Sequence, residues 1–204
     1  MILRPVFACL RSVFRMLFPI RNRIEGKRYA PSLTGGGELI LLEDTRNQKG
    51  KHKNIEDYCR RTGIQIVRKC LSVGDYMLSE DGINPIGDIS VDTKMDLLEL
   101  SKDIMSNDHR RFRQECIRAK DMGIQLVILT EEYPPYGKVD LWEVPRWKSS
   151  NAWHRYGDPM TLVDPRALRK AMITMMVKYG VQFQFCTRLH SPARVIKILK
   201  GEAK

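Results

Sequence analysis

The chain has 204 residues, 43% hydrophobic and 29% charged, which suits one α/β domain with a sizeable core plus an appendage and excludes a disordered or fibrous protein. Thirty-five Lys and Arg against 24 Asp and Glu give a formal charge of +11, a field that attracts nucleic acid or an anionic membrane without choosing between them. Five scattered cysteines, Cys9, Cys59, Cys70, Cys116 and Cys186, form no C-x-x-C pair; they argue against zinc or dithiol chemistry and for free thiols in a reducing cytosol.

Residues 1–37 form a basic N-terminal extension: Arg4, Arg11, Arg15, Arg21, Arg23, Lys27 and Arg28 face only Glu25, so the stretch carries +6 and leaves +5 for residues 38–204. Leu3, Val6, Phe7, Leu10, Val13, Phe14, Leu17 and Phe18 recur at helical spacing with Arg4, Arg11 and Arg15 on the other face. A basic amphipathic helix on an anionic membrane, an organellar transit peptide and a floppy extension all fit, and the extension is preferred. The arginines interrupt any apolar run of the ~18 residues that would span a bilayer.

Past Gly35-Gly36-Gly37, the apolar run Leu39-Ile40-Leu41-Leu42 predicts a buried strand that delivers Glu43 and Asp44 at its end. A helix follows from about Asn54, with Ile55, Tyr58 and Cys59 on one face and Gly63 as its stop, then a strand from Ile64 to Lys69. Val73 to Lys94 reads as a hairpin with Asp81-Gly82 near its turn; in its second arm Ile89, Val91 and Thr93 face one way and Ser90, Asp92 and Lys94 the other. Leu97, Leu100 and Ile104 predict a short helix. A second helix, capped by Asn107 or Asp108 and running to Gly123, turns Phe112, Cys116 and Ala119 inward. Ile124–Thr130 is another strand. Residues from about 131 to 160, with all three tryptophans, form an excursion. Asp164-Pro165 opens a helix with Leu168, Ala171, Met172, Met175, Met176 and Tyr179 as its stripe and Gly180 at its end, Val181–Phe185 alternates as a strand, and Ser191-Pro192 caps a last helix.

Asp92 and Lys94 on one strand face have Cα atoms roughly 6.5 to 7 Å apart. A carboxylate there can hold a metal while the ammonium positions or deprotonates a water, or offsets charge building on a phosphate. Hairpin pairing brings Asp75 across from Asp92, and two converging carboxylates repel unless a cation neutralises them. Such hard oxygen ligands suit Mg²⁺ or Mn²⁺. Asp44, ending the neighbouring strand, comes near the same point.

These residues resemble the XPF-type structure-specific endonucleases of the PD-(D/E)XK superfamily, over roughly residues 38–130. Leu41-Leu42-Glu43-Asp44-Thr45-Arg46 is similar to the family's V-D-x-R-E, Val73-Gly74-Asp75-Tyr76 to its G-D-[FY], Val91-Asp92-Thr93-Lys94 to its E-R-K strand, and Arg111-Phe112-Arg113-Gln114 with Arg118 to its R-F-x-x-Q helix. Asn47 replaces the Glu after the first-strand Arg, Thr93 replaces the Arg of E-R-K, and the acid four residues past the lysine falls on Leu98, with Asp96 and Glu99 close by.

The resemblance implies a restriction-endonuclease-like α/β core, a central mixed β-sheet flanked by helices, spanning residues 38–204. It further implies a Mg²⁺- or Mn²⁺-dependent endonuclease acting on branched or flapped DNA in repair or recombination, in the cytoplasm of a bacterial or phage-infected cell. Asp44, Asp75 and Asp92 are then the metal ligands, Lys94 orients water or stabilises the transition state, and Arg46 meets the phosphate. Such nucleases often work as homodimers and take no small-molecule cofactor. The basic face of the 108–122 helix, with Arg110, Arg111, Arg113, Arg118 and Lys120, can run along DNA phosphates. Trp142, Trp147 and Trp153 among the cations of the excursion could stack on unpaired bases. The alternative is a non-catalytic DNA-binding relative of the same fold.

Overall fold

The computed structural model describes residues 39–48, 50, 52–106, 109–132, 141–146 and 163–202. The readings made of residues 1–37, of Asn107 and Asp108 as a cap, and of Trp147 and Trp153 lie outside them.

The apolar run after the glycines is strand β1 (Ile40–Asp44), buried throughout. Helix α1 (Lys53–Thr62) follows and ends at Gly63, whose φ of 74° is the left-handed stop that a glycine takes without strain. Strand β2 (Gln65–Lys69) lies parallel to β1. Strand β3 (Tyr76–Ser79) is antiparallel to both β1 and the ten-residue β4 (Pro85–Lys94). Between them, Asp81 accepts backbone N–H groups from Ile83 and Asn84, and these bonds hold its carboxyl below the usual range.

Helix α2 (Leu97–Met105) starts at Asp96, which accepts the Glu99 N–H at 2.7 Å. Helix α3 (His109–Asp121) and strand β5 (Gln125–Thr130) complete the first part, and β5 runs parallel to β4. Helix α4 (Pro165–Tyr179) has the Asp164 cap and Pro start read from the sequence, and β6 (Gln182–Phe185) adds parallel to β5. Helix α5 (Ser191–Leu199) closes the fold. Ser191 is not its cap: it is the first helical residue, and its hydroxyl donates to Glu131 Oε1 at 2.5 Å.

The strand order β2-β1-β3-β4-β5-β6 makes one mixed six-stranded sheet. Apolar residues line both faces. Leu97, Phe112, Cys116, Leu126, Ile128, Leu168 and Met172 pack on one side, where α2, α3 and α4 sit. Leu41, Ile55, Tyr76, Val91, Leu129 and Val195 pack on the other, with α1 and α5. This is the expected mixed sheet flanked by helices. Burial pushes the Cys59 thiol up to about 11 and those of Cys116 and Cys186 up to about 12, so all three are structural thiols. No helix among the described residues is long and apolar enough to cross a membrane.

Candidate active site

Three adjacent strands deliver the site. The Asp44 N–H donates to Asp75 O at 2.8 Å, and the Asp75 N–H donates to Val91 O at 2.8 Å. The end of β1, the residue before β3 and the end of β4 are thereby tied side by side. Gly74 has φ 69°, and a Cβ there would collide with Ser90 Oγ and stand 3.0 Å from Val91 O. Only glycine lets the chain enter β3 this close to β4.

A cleft of about 240 Å³ opens over these strand ends, lined among others by Asp44, Asp75, Asp92, Lys94, Asp103 and Glu115. Arg46, Arg111 and Arg118 line it as well. Asp92 is 3% exposed and Lys94 9%, so the D-x-K pair is buried rather than spread on a solvated strand face. Burial raises the Asp92 pKa; Lys94 offsets part of that, while Asp75 and Glu115 add to it. Lys94 Nζ lies 2.9 Å from Asp92 Oδ2 and 2.8 Å from Asp103 Oδ2, and 5.4 Å from the centre of the Phe112 ring. Burial would lower the Lys94 pKa, but Asp92, Asp103 and Asp75 outweigh it and raise the pKa. Lys94 is thus held as an ammonium between two carboxylates.

Asp75 Oδ2 accepts the Thr93 N–H at 2.8 Å and the Thr93 hydroxyl at 2.6 Å. Asp44 is engaged differently. Arg46 Nε donates to both its oxygens, at 3.1 and 2.9 Å, Nη2 donates to Oδ2 and the Arg46 N–H donates to Oδ1 at 2.8 Å. Arg46 Nη2 also reaches Leu71 O at 2.7 Å, which fixes the guanidinium at the cleft. The side-chain hydrogen bond to Asp44 raises the Arg46 pKa despite some burial.

The three aspartates therefore do not form one ligand set. Among the described residues no group of three His, Cys, Asp or Glu is arranged to hold a metal, and the Asp44 carboxylate is taken up by Arg46. Asp75 and Asp92 still fit a dication. Asp92 Oδ2 is buried with the Lys94 ammonium 2.9 Å away and no other partner among the described residues, so it keeps lone pairs for a cation. Mg²⁺ commonly binds through one or two carboxylates and keeps several waters.

The basic face of α3 divides in two. Arg111 and Arg118, seven residues apart on one stripe, line the cleft, with Arg118 Nε donating to Ser72 O at 3.4 Å. Arg113 Nε donates to the Tyr179 hydroxyl at 2.8 Å and Lys120 Nζ to Lys178 O at 3.0 Å. Those two residues tie α3 to the end of α4, where a cation suits the helix dipole, and do not face the cleft. Arg110 is exposed and lies outside the cleft lining. In the excursion, Trp142 has the guanidinium of Arg169 from α4 5.2 Å from its ring centre, so this tryptophan already has a cation over it.

Sequence reasoning missed Asp103 and Glu115. Glu115 Oε1 accepts the Gly74 N–H at 2.8 Å and so ties α3 to the strand entry beside Asp75. Counting R-F-x-x-Q from Arg111 places Glu115, not Gln114, at the last position, a signal that was available. Asp103 offered none of that kind. The acid expected four residues past the lysine falls on Leu98, which is buried in the core, and Asp96 caps α2. Helix α2 brings Asp103 to Lys94 instead.

The ERCC4 domain matches residues 44–199, well beyond the 38–130 stretch that carries the motifs. Among solved structures, XPF from Aeropyrum pernix is similar at TM-score 0.51 and 18% identity, over 79% of this chain and 63% of that chain. The structure titled as the same protein in complex with DNA is similar at TM-score 0.51 and 17% identity, over the same 79% and 63%. This chain thus spans about 63% of the length of those structures, and at such identity the likeness is one of fold. No curated protein matches it. With the motifs, the sheet and the match over residues 44–199 agreeing, the chain belongs to the ERCC4 domain family and carries an XPF-type nuclease domain.

Proposed function

We propose that the protein is a divalent-metal-dependent DNA endonuclease that hydrolyses phosphodiester bonds in branched or flapped DNA during repair or recombination. The observation that carries this reading is the convergence of Asp75, Asp92 and Lys94 on one cleft at the ends of neighbouring strands, beside Arg46, Arg111 and Arg118. The A. pernix protein described in complex with DNA supports nucleic acid as the partner.

Asp75 and Asp92 would hold Mg²⁺ or Mn²⁺, which supplies Lewis acidity toward a phosphoryl oxygen and acidifies bound water. Lys94, kept charged between Asp92 and Asp103, offsets the negative charge that grows on the phosphate. Arg46, clamped by Asp44 and Leu71 O, presents the rest of its guanidinium to a phosphate oxygen. Arg111 and Arg118 track the neighbouring backbone without reading sequence.

Cleavage of labelled flap, fork, Holliday-junction and duplex DNA with Mg²⁺ or Mn²⁺ tests the proposal, with EDTA as the control. Branched substrates are expected to be cut in the presence of metal and left intact with EDTA. A second reading, a non-catalytic DNA-binding relative, is favoured by one observation: Arg46 occupies both Asp44 oxygens, which leaves two carboxylates for a cation instead of three. Salt-sensitive DNA binding without cleavage of any substrate decides for it.

A further inference from the structure

Thr93 stands where the resemblance expects an arginine, and it is 2% exposed between Asp92 and Lys94. Strand β3 begins at Tyr76 opposite Val91, so the last residues of β4 run on past it. The Thr93 N–H has no strand acceptor there, and the Asp75 carboxylate takes that place. The Asp75 backbone is fixed on both sides, through its N–H to Val91 O and its carbonyl to the Asp44 N–H. What remains free is the rotation of the carboxylate, a broad torsion that backbone placement does not set. The Thr93 hydroxyl at 2.6 Å and N–H at 2.8 Å both grip Oδ2. No described residue donates to Oδ1.

We infer that Thr93 is a positioning residue, whose hydroxyl locks Asp75 Oδ2 so that Oδ1 is the oxygen offered to a divalent cation shared with Asp92. The inference rests on the metal-dependent reading of the cleft. It gives the departure at this position a defined part: a neutral hydroxyl orients the metal-binding carboxylate of the neighbouring strand.

The test is Mn²⁺ binding to the full 204-residue chain, followed by electron paramagnetic resonance, for wild type, Thr93→Val, Thr93→Ser, Asp75→Asn and the double variant Thr93→Val with Asp75→Asn. Thr93→Val keeps the shape and the N–H but removes the hydroxyl, and it is expected to weaken Mn²⁺ binding about tenfold to a hundredfold. Thr93→Ser restores wild-type affinity. In the Asp75→Asn background the valine adds no further loss, as expected of two residues that act through one contact. Should Thr93→Val fail to give a cooperative urea transition, Thr93→Ala takes its place.

Wild-type affinity in Thr93→Val, a serine variant as weak as the valine, additive losses, or no saturable Mn²⁺ binding by wild type would each overturn the inference. Branched-DNA cleavage by the same samples separates it from the functional proposal. Metal binding that depends on Thr93 without cleavage sinks the nuclease reading alone. Cleavage with metal binding indifferent to Thr93 sinks this inference alone.

Discussion

Lys94 shows how much of the site is decided at the level of a single side chain. It is nearly buried between Asp92 and Asp103, at 2.9 and 2.8 Å, and each acid depends on it for compensation. Removing one partner of a buried pair leaves charge stranded in a poorly solvated place. Lys94→Ala is therefore expected to lower the unfolding free energy by about 3 to 5 kcal/mol in urea denaturation, as well as to abolish cleavage. Gly74 is the second such residue. Gly74→Ala forces a side chain onto a backbone at φ 69° and into Ser90 Oγ, whose own bond to Val73 O at 2.8 Å resists displacement. A loss of about 2 kcal/mol or more is expected by the same measurement. The sequence marked Lys94 and Gly74 by motif but not by these reasons, because a D-x-K triplet does not say which acid from a later helix will face the lysine.

At the scale of elements, local periodicity carried most of the information. The helices starting near Asn54, Leu97 and Asp164 and the strands at 39–42, 64–69 and 124–130 were legible because their apolar spacing matches what the sheet faces bury. The faces of α3 were not. Six basic or histidine side chains on one helix look like a single cationic surface. The structure turns Arg113 and Lys120 toward Tyr179 and Lys178, 66 and 58 residues away in the chain. No helical period foretells a neighbour that distant. Arg111→Ala and Arg118→Ala are each expected to weaken DNA binding and to reduce the salt-dependence slope by about 1 in anisotropy titrations. Arg113→Ala leaves that slope unchanged and instead loosens the contact of α3 with α4. Equal slopes for all three variants would contradict the division of the helix.

For the molecule as a whole, the end of β1, the start of β3 and the end of β4 meet because β3 lies between β1 and β4 and is antiparallel to both. That order puts Asp44, Asp75 and Asp92 at one edge of one sheet, as the motifs required. What the motifs could not give was the internal pairing: Arg46 on Asp44, Thr93 on Asp75 and Lys94 on Asp92 and Asp103. A motif fixes residue type and order, whereas pairing depends on side-chain directions set by the packed sheet. The net charge is also unevenly placed, since residues 1–37 carry +6 of the total +11. Deleting them is expected to leave metal-dependent cleavage intact while lowering nonspecific affinity for DNA, as read by a shallower salt slope.

The central claim is that the Asp75 and Asp92 cleft cuts DNA with the help of a divalent cation. Single-turnover cleavage of a labelled flap substrate in Mg²⁺ by wild type and Asp75→Asn, with folding of both confirmed, tests it most directly. A fall of roughly a thousandfold or more in the variant is predicted, since a metal contributes several kcal/mol of transition-state stabilisation and each 1.36 kcal/mol is worth tenfold in rate. Equal rates for the two proteins would contradict the account.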